Sequence, residues 1–241
     1  MYGAKTVEYR LKSSEGWKID LEDINKKMND SVKLLVLINP NNPTGNIATE
    51  SEIKELIKIA EEWPNCTIIA DEIYDGLDFS ENFVSVASLS KNVPVISLNG
   101  VSKVYFAPGW RIGYMAWHDP HNVLRLVRDG VERILRSRLC ASTPAQYGYL
   151  AGLKESKEWL NEHRKLTENR MNYCLKRINE IDGLSCESPK GAFYLFVRLT
   201  KPEHQIDDKK WVLDLLHQEH VLVVHGSGFS PEFGAGHFRM V

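Results

Sequence analysis

No run of 18 or more consecutive apolar residues occurs in these 241 residues, so a membrane-spanning helix is not expected. Cysteine is scarce. Cys66, Cys140, Cys174 and Cys186 stand far apart and form no C-x-x-C pair. That excludes a disulfide mini-scaffold and reads as reduced, small, half-buried apolar side chains in a cytoplasmic protein. Neither sign of charge dominates: 30 Lys and Arg against 32 Asp and Glu leave a formal net charge of −2. A dedicated nucleic-acid binder shows a basic excess instead. The start lacks a basic stretch followed by an apolar one, so no signal peptide is expected, and the triplets Asn29-Asp30-Ser31 and Asn65-Cys66-Thr67 match the glycosylation pattern by chance. Repeats, low-complexity tracts and Gly/Ser linkers are missing too. What is present is ordinary globular usage, 43% hydrophobic and 26% charged, at a length that suits one to two domains.

The first half alternates short apolar runs with helical patterns. Val32 to Ile38 is nearly continuous and apolar, and the turn residues Asn39-Pro40-Asn41-Asn42-Pro43-Thr44-Gly45 end it. That is a buried strand and a tight turn. Thr49 with Glu52 makes a capping box. Ile53, Leu56, Ile57 and Ala60 then fall at i, i+3, i+4 and i+7, the apolar stripe of a helix stopped by Pro64. Residues 66–70, 93–98 and 110–117 read as further strands. Strand, helix, strand at this spacing predicts crossovers, a mostly parallel sheet covered on both faces, and ligands beyond the carboxyl ends of its strands. The second half has α+β texture: a helix over 122–137, a long charged helix over 157–181, a strand over 191–197, a helix around Trp211, Leu215 and Leu216, and a strand over 221–224. These patterns predict a large α/β domain over 1–155 and a smaller α+β domain over 156–241.

The polar residues at the strand ends carry the chemistry. Lys103 follows Asn99-Gly100-Val101-Ser102; a lysine at a rigid strand end can lose its proton by desolvation and act as an amine nucleophile, although a surface lysine fits the same pattern. Arg111, in Pro108-Gly109-Trp110-Arg111-Ile112-Gly113, suits a phosphate as well as a surface ion pair. Asp71 closes an apolar strand and needs a cationic or hydrogen-bonding partner; a protonated ring nitrogen would serve, and Tyr74 three residues on can donate to an oxygen of the same ring. Asn42 sits in a stiff turn whose Asn-Pro bond suits the cis form. Arg239 stands in a glycine-punctuated loop, Gly234-Ala235-Gly236-His237-Phe238-Arg239, and can hold a carboxylate in a bidentate pair.

Taken in order, Asn-Pro-x-Asn-Pro-Thr-Gly, Asp-Glu-x-Tyr, Ser-Lys with an arginine eight residues later inside Gly-Trp-Arg-Ile-Gly, and a late Gly-x-x-Arg resemble the class I/II aminotransferases. These are pyridoxal-phosphate enzymes of fold type I. The resemblance runs from Tyr2 to Val241, and Gly100-Val101-Ser102-Lys103 is similar to the alanine-aminotransferase branch. It implies a three-layer α/β/α large domain, incomplete here, plus a small α+β domain. It implies that Lys103 forms the imine (Schiff base) with the cofactor aldehyde and moves the substrate proton. Asp71 keeps the pyridine nitrogen protonated. Tyr74 and Asn42 bond the ring 3-oxygen, Ser102 and Arg111 bind the phosphate, and Arg239 and Asn42 serve the substrate. The implied partners are an amino acid, with alanine foremost, a 2-oxo acid such as 2-oxoglutarate, and a second subunit in a homodimer.

Two departures accompany the resemblance. Many members carry serine at the position of Gly100. The family also has a long region ahead of the segment like Tyr2-Gly3-Ala4-Lys5, and a further strand after the late arginine, so the chain reads as truncated at its N-terminus and slightly at its C-terminus. Two alternatives stay open: a carbon–sulfur lyase on the same scaffold, and a catalytically incompetent fragment or binding domain. No metal site is expected: His217-Gln218-Glu219-His220 is not H-E-x-x-H and reads as a solvated helix end. Arg133, Arg136 and Arg138 cluster at a predicted helix end, where the helix dipole favours them.

Overall fold

The computed structural model describes residues 3–155 and 157–241. Tyr2, where the resemblance begins, and Ser156, where the second domain is expected to begin, lie outside the described residues. Packing divides the chain into two units. One comprises Met28–Pro40 and Ala48–Arg164, the other Met1–Lys27, Asn41–Ile47 and Lys165–Val241. This differs from a single cut after residue 155, because early segments pair through space with late ones. Gly45 O accepts from Lys190 N and Gly191 N at 2.8 and 3.0 Å, and Asn46 Nδ2 donates to Trp17 O at 2.9 Å.

The first unit is α/β. Its sheet runs in the order Leu34–Ile38, Thr67–Asp71, Val95–Gly100, Gly113–His118. The first three strands are parallel and the fourth is antiparallel. Leu35, Leu37, Ile68, Ala70 and Val95 share one face and are buried. Helix Glu50–Glu61 packs on the sheet through Ile53, Leu56, Ile57 and Ala60, all buried; each large aliphatic side chain withdrawn from water in this way contributes about 1.5–3 kcal/mol. The capping box is made in full: Glu52 N donates to Thr49 Oγ1 at 3.2 Å, and Thr49 N donates to Glu52 Oε2 at 2.9 Å. The opposite face carries the exposed Leu34 and Val36.

Three element ends move from their expected places for local reasons. The third strand begins at Val95, because Pro94 has no N–H to give the ladder. The fourth strand begins at Gly113, since Pro108–Trp110 forms a 3-10 turn and Arg111 takes a left-handed conformation with φ 54°. Helix Arg125–Arg138 starts later than expected, after Asp119 has taken up Val123 N and Leu124 N at 2.9 Å each. Helix Thr143–Lys154 has no counterpart in the sequence reading.

The second unit holds an antiparallel sheet in the order Leu184–Cys186, Leu195–Leu199, His237–Met240, Val224–His225. Its centre is Leu195, Phe196, Val197 and Leu199, all buried. Trp17 packs its ring 5.4 Å from Phe196, and helix Asp208–Glu219 lays Trp211 on Phe238 at 5.0 Å. That helix ends at His220, whose left-handed backbone N–H returns to Leu216 O, in keeping with His217 and His220 as a helix end. The strand expected over 221–224 shrinks to Val224–His225 as a result. The cysteines are unpaired but unequal: Cys66 is buried, Cys174 and Cys186 are partly so, and Cys140 is exposed, against the expectation that all four are half-buried. Among the described residues no helix is long and apolar enough to cross a membrane.

Candidate functional site

In the α/β unit, Asp71, Tyr74 and Lys103 come together at the carboxyl ends of neighbouring parallel strands. Asp71 closes Thr67–Asp71 and accepts from Ile73 N at 3.3 Å. Burial pushes its carboxyl up, while the Ile73 N–H and the Lys103 ammonium pull the other way. Tyr74 is buried, and the Lys103 Nζ sits 5.9 Å from the centre of its ring. Lys103 lies in the turn after Val95–Gly100, where its carbonyl accepts from Phe106 N at 3.2 Å. Glu72, between the two, turns inward and serves the fold. Its oxygens accept from Val86 N and Ser85 Oγ at 2.9 Å each, which fixes the start of helix Val86–Leu89.

Ser102 and Arg111 line one cavity of about 690 Å³, together with Arg128 and Arg138 from helix Arg125–Arg138. The Arg111 guanidinium is braced by the Pro108 carbonyl at 2.7 Å. The Ser102 hydroxyl and the Arg111 and Arg138 guanidinium groups form a donor set for a phosphate-sized anion, while Arg128 is paired with Glu132, which lines the same cavity. Arg128 is absent from the sequence reading; only its helical spacing from Glu132, which it meets at 3.6 Å, marks it. Arg136 meets the same carboxylate at 3.9 Å, and of the three clustered arginines Arg138 lines the cavity. The glycine at position 100 has a steric cause. A Cβ there would lie 2.7 Å from Ile112 O and 2.9 Å from Gly113 Cα, across the antiparallel pair.

Asn42 and Arg239 belong to the other unit and meet each other. Arg239 Nη1 donates to Asn42 Oδ1 at 2.8 Å. The guanidinium carbon lies 4.7 Å from the ring centre of Tyr194 and 4.9 Å from that of Phe229. Its Nε is buried with no hydrogen-bond partner. An orphaned buried donor costs about 1–3 kcal/mol, and a carboxylate accepting from it would satisfy it. Arg239 stands on strand His237–Met240, opposite Phe196 on one side and Val224 on the other, not in a loop as expected. Asn42-Pro43 is cis, as is Asn39-Pro40. Tyr194 and Phe229 escape a reading that follows charged residues alone, although Phe229 closes the conspicuous run Gly226-Ser227-Gly228-Phe229. Among the described residues no group of three or more His, Cys, Asp or Glu side chains is placed to hold a metal ion.

The family model for aminotransferase class I and II matches residues 1–241. The chain belongs to that family. It is 37% identical over 242 residues to glutamate-pyruvate aminotransferase AlaA of Escherichia coli K12, covering 98% of this chain and 59% of the relative. It is 34% identical to the alanine aminotransferase of Mycobacterium tuberculosis, covering 99% of this chain and 56% of the relative. Among solved structures, the alanine aminotransferase from Pyrococcus furiosus superposes with a TM-score of 0.94 at 48% identity, over 100% of this chain and 60% of that one. The chain therefore spans somewhat under two thirds of the length of these relatives.

Class I and II aminotransferases use pyridoxal 5′-phosphate, and the residues of this chain suit that group on chemical grounds. Asp71 is an acid in a partly buried setting, and a cationic ring N–H is the partner that lets such a carboxylate stay ionised. The cavity at Ser102 and Arg111 supplies donors for a phosphate, and Lys103 supplies an amine beside Asp71.

Proposed function

We propose that this chain carries the cofactor and carboxylate residues of an aminotransferase that moves an amino group between L-alanine and a 2-oxo acid, 2-oxoglutarate being the acceptor. The observation that carries the reading is the Lys103 ammonium held over Tyr74 and coupled to the partly buried Asp71 at the ends of two adjacent parallel strands. The names of the relatives supply the substrate. When bound, pyridoxal 5′-phosphate provides an electron sink for the carbon that bears the amino group. Lys103 holds the cofactor and carries the proton to and from that carbon. Asp71 keeps a proton on the ring nitrogen, and Tyr74 and Asn42 orient the ring oxygen. Ser102 and Arg111 bind the phosphate, and Arg239 binds the substrate carboxylate.

We place the protein in the cytoplasm, where four unpaired cysteines are at home, and we propose that it works as a homodimer. Leu126, Ile134 and Leu139 at helix Arg125–Arg138, with Tyr147 and Leu153 on helix Thr143–Lys154, are exposed, and apolar surface of this kind marks an interaction site. Light scattering at the mass of a single chain would overturn the dimer.

The test of function is covalent. The purified chain is incubated with pyridoxal 5′-phosphate, reduced with borohydride and mapped by peptide mass spectrometry. A phosphopyridoxyl group is expected on Lys103 and is expected to be lost in Arg111→Ala at the same cofactor concentration. Labelling spread over many lysines would overturn the assignment.

A further inference from the structure

A buried carboxylate in the second unit has no part in the roles above. Asp208, the first residue of helix Asp208–Glu219, is 4% exposed. It accepts from Ser227 N at 2.8 Å and from Ser227 Oγ at 2.6 Å. The helix N-terminus offers a favourable potential for its charge, but both of these donors come from another element: the 3-10 turn Gly226–Gly228.

Proton counting orders the rest of the cluster. The Ser227 hydroxyl has one hydrogen, and a carboxylate can only accept. The short contact to Asp208 takes that hydrogen, so the contact of 2.9 Å between His225 Nδ1 and Ser227 Oγ needs the hydrogen on Nδ1. His225 thus donates to Ser227, and Ser227 donates to Asp208. The ring lies close on the turn: a Cβ on Gly228 would fall 2.9 Å from His225 Cε1. Behind the turn, a Cβ on Gly226 would fall 2.1 Å from Gly234 O. The turn is therefore gripped from three sides.

Its next residue is Phe229, whose N–H bonds Gly226 O at 2.9 Å and whose ring forms one wall of the Arg239 slot. We propose that Asp208 is a positioning residue for carboxylate recognition, holding the Gly226–Gly228 turn through Ser227 so that Phe229 stays against the Arg239 guanidinium. This deepens, and rests on, the reading of Arg239 as the carboxylate site.

The experiment follows the Arg239 Nε–H resonance in the ¹⁵N-labelled chain, assigned by its loss in Arg239→Lys, and titrates sodium pyruvate. A ring-current field from Phe229 acts on that proton, so its resonance reports the placement of the ring whether or not anion binds. Asp208→Ala and Ser227→Ala are expected to displace the resonance and to raise the pyruvate dissociation constant about fivefold or more. Ser227→Thr keeps the hydroxyl and is expected to restore both. Should Asp208→Ala fail to fold, Ser227→Ala decides the matter alone. A folded Ser227→Ala with an unmoved resonance and unchanged pyruvate affinity would overturn the proposal. If the wild-type chain shows no pyruvate response while Ser227→Ala still displaces the resonance, the positioning role stands and the carboxylate reading of Arg239 falls.

Discussion

Arg239 Nη1 donates to Asn42 Oδ1 at 2.8 Å across 197 residues of sequence. That bond joins two residues of unrelated appearance. The asparagine holds one edge of the guanidinium, the rings of Tyr194 and Phe229 lie against it, and the Nε is buried with no hydrogen-bond partner. A lysine at position 239 keeps the charge but loses the planar fork and its stacking. Arg239→Lys is therefore expected to weaken pyruvate binding by about tenfold or more, roughly 1.4 kcal/mol, in a direct titration. Asn42→Ala is expected to weaken it less, because the two rings still hold the guanidinium plane. Equal affinity in wild type and Arg239→Lys would show that a point charge is enough.

Gly100 offers a test of packing against family habit. A serine at this position would add a hydroxyl toward a phosphate, yet its Cβ would press on Ile112 O at 2.7 Å. Both close neighbours are backbone atoms at the entry to the adjacent strand, so neither can swing aside. Gly100→Ser is expected to lose about 1–3 kcal/mol of stability, read from urea unfolding. An unchanged midpoint would mean that the strand pair is looser than this geometry.

The sheet and the strand-end residues were legible because period and punctuation agreed there. Leu34–Ile38, helix Glu50–Glu61 and Thr67–Asp71 each carry an apolar pattern closed by a turn or cap, and Asp71 and Lys103 stand just past such patterns. Helix Thr143–Lys154 was not legible, since Gly148 and Gly152 weaken its propensity. The structure gives the reason for those glycines: a Cβ would lie 2.6 Å from the Trp110 ring at position 148 and 3.0 Å from the Tyr105 ring at position 152. Strand His237–Met240 was hidden by the glycines before it. Its partners are Leu195–Leu199 and Val224–His225, a long-range pairing that no local pattern announces. The aromatic walls of the Arg239 slot were missed for the same reason.

Asp71, Glu72 and Asp75 all have their carboxyls pushed up, in each case chiefly by burial. A carboxyl raised in the folded chain favours the protonated form there. It contributes stability that is fully present below its unfolded pKa and is lost as pH rises through the folded value. These three groups therefore make the chain less stable as pH climbs above their ordinary carboxylate range, from about 4 upward. Asp75 also accepts from Gly76 N at 2.7 Å and from Asn99 Nδ2 at 2.9 Å, so Asp75→Asn loses part of that pairing and shifts stability at every pH. The diagnostic quantity is the slope. Urea midpoints measured across that range are expected to fall less steeply in Asp75→Asn than in wild type, and parallel curves would show that Asp75 does not titrate differently in the two states.

The four thiols should separate cleanly under alkylation. Cys140 is exposed, just beyond helix Arg125–Arg138. Cys66 is buried, and burial raises its thiol. Cys186 is pushed up to about 12, by burial first and by the Glu187 carboxylate second, and its Sγ lies 3.6 Å from Phe196 O. The thiolate is the reactive species, so at about pH 8 only roughly one Cys186 in ten thousand is competent. Iodoacetamide under native conditions is expected to modify Cys140 first and to leave Cys66 and Cys186 untouched until denaturant is added, as peptide mapping over time would show. Early modification of Cys186 would mean that strand Leu184–Cys186 opens on its own. It is an edge strand of the sheet whose centre holds Phe196, so its opening would reach the same packing that seats Arg239 opposite Phe196.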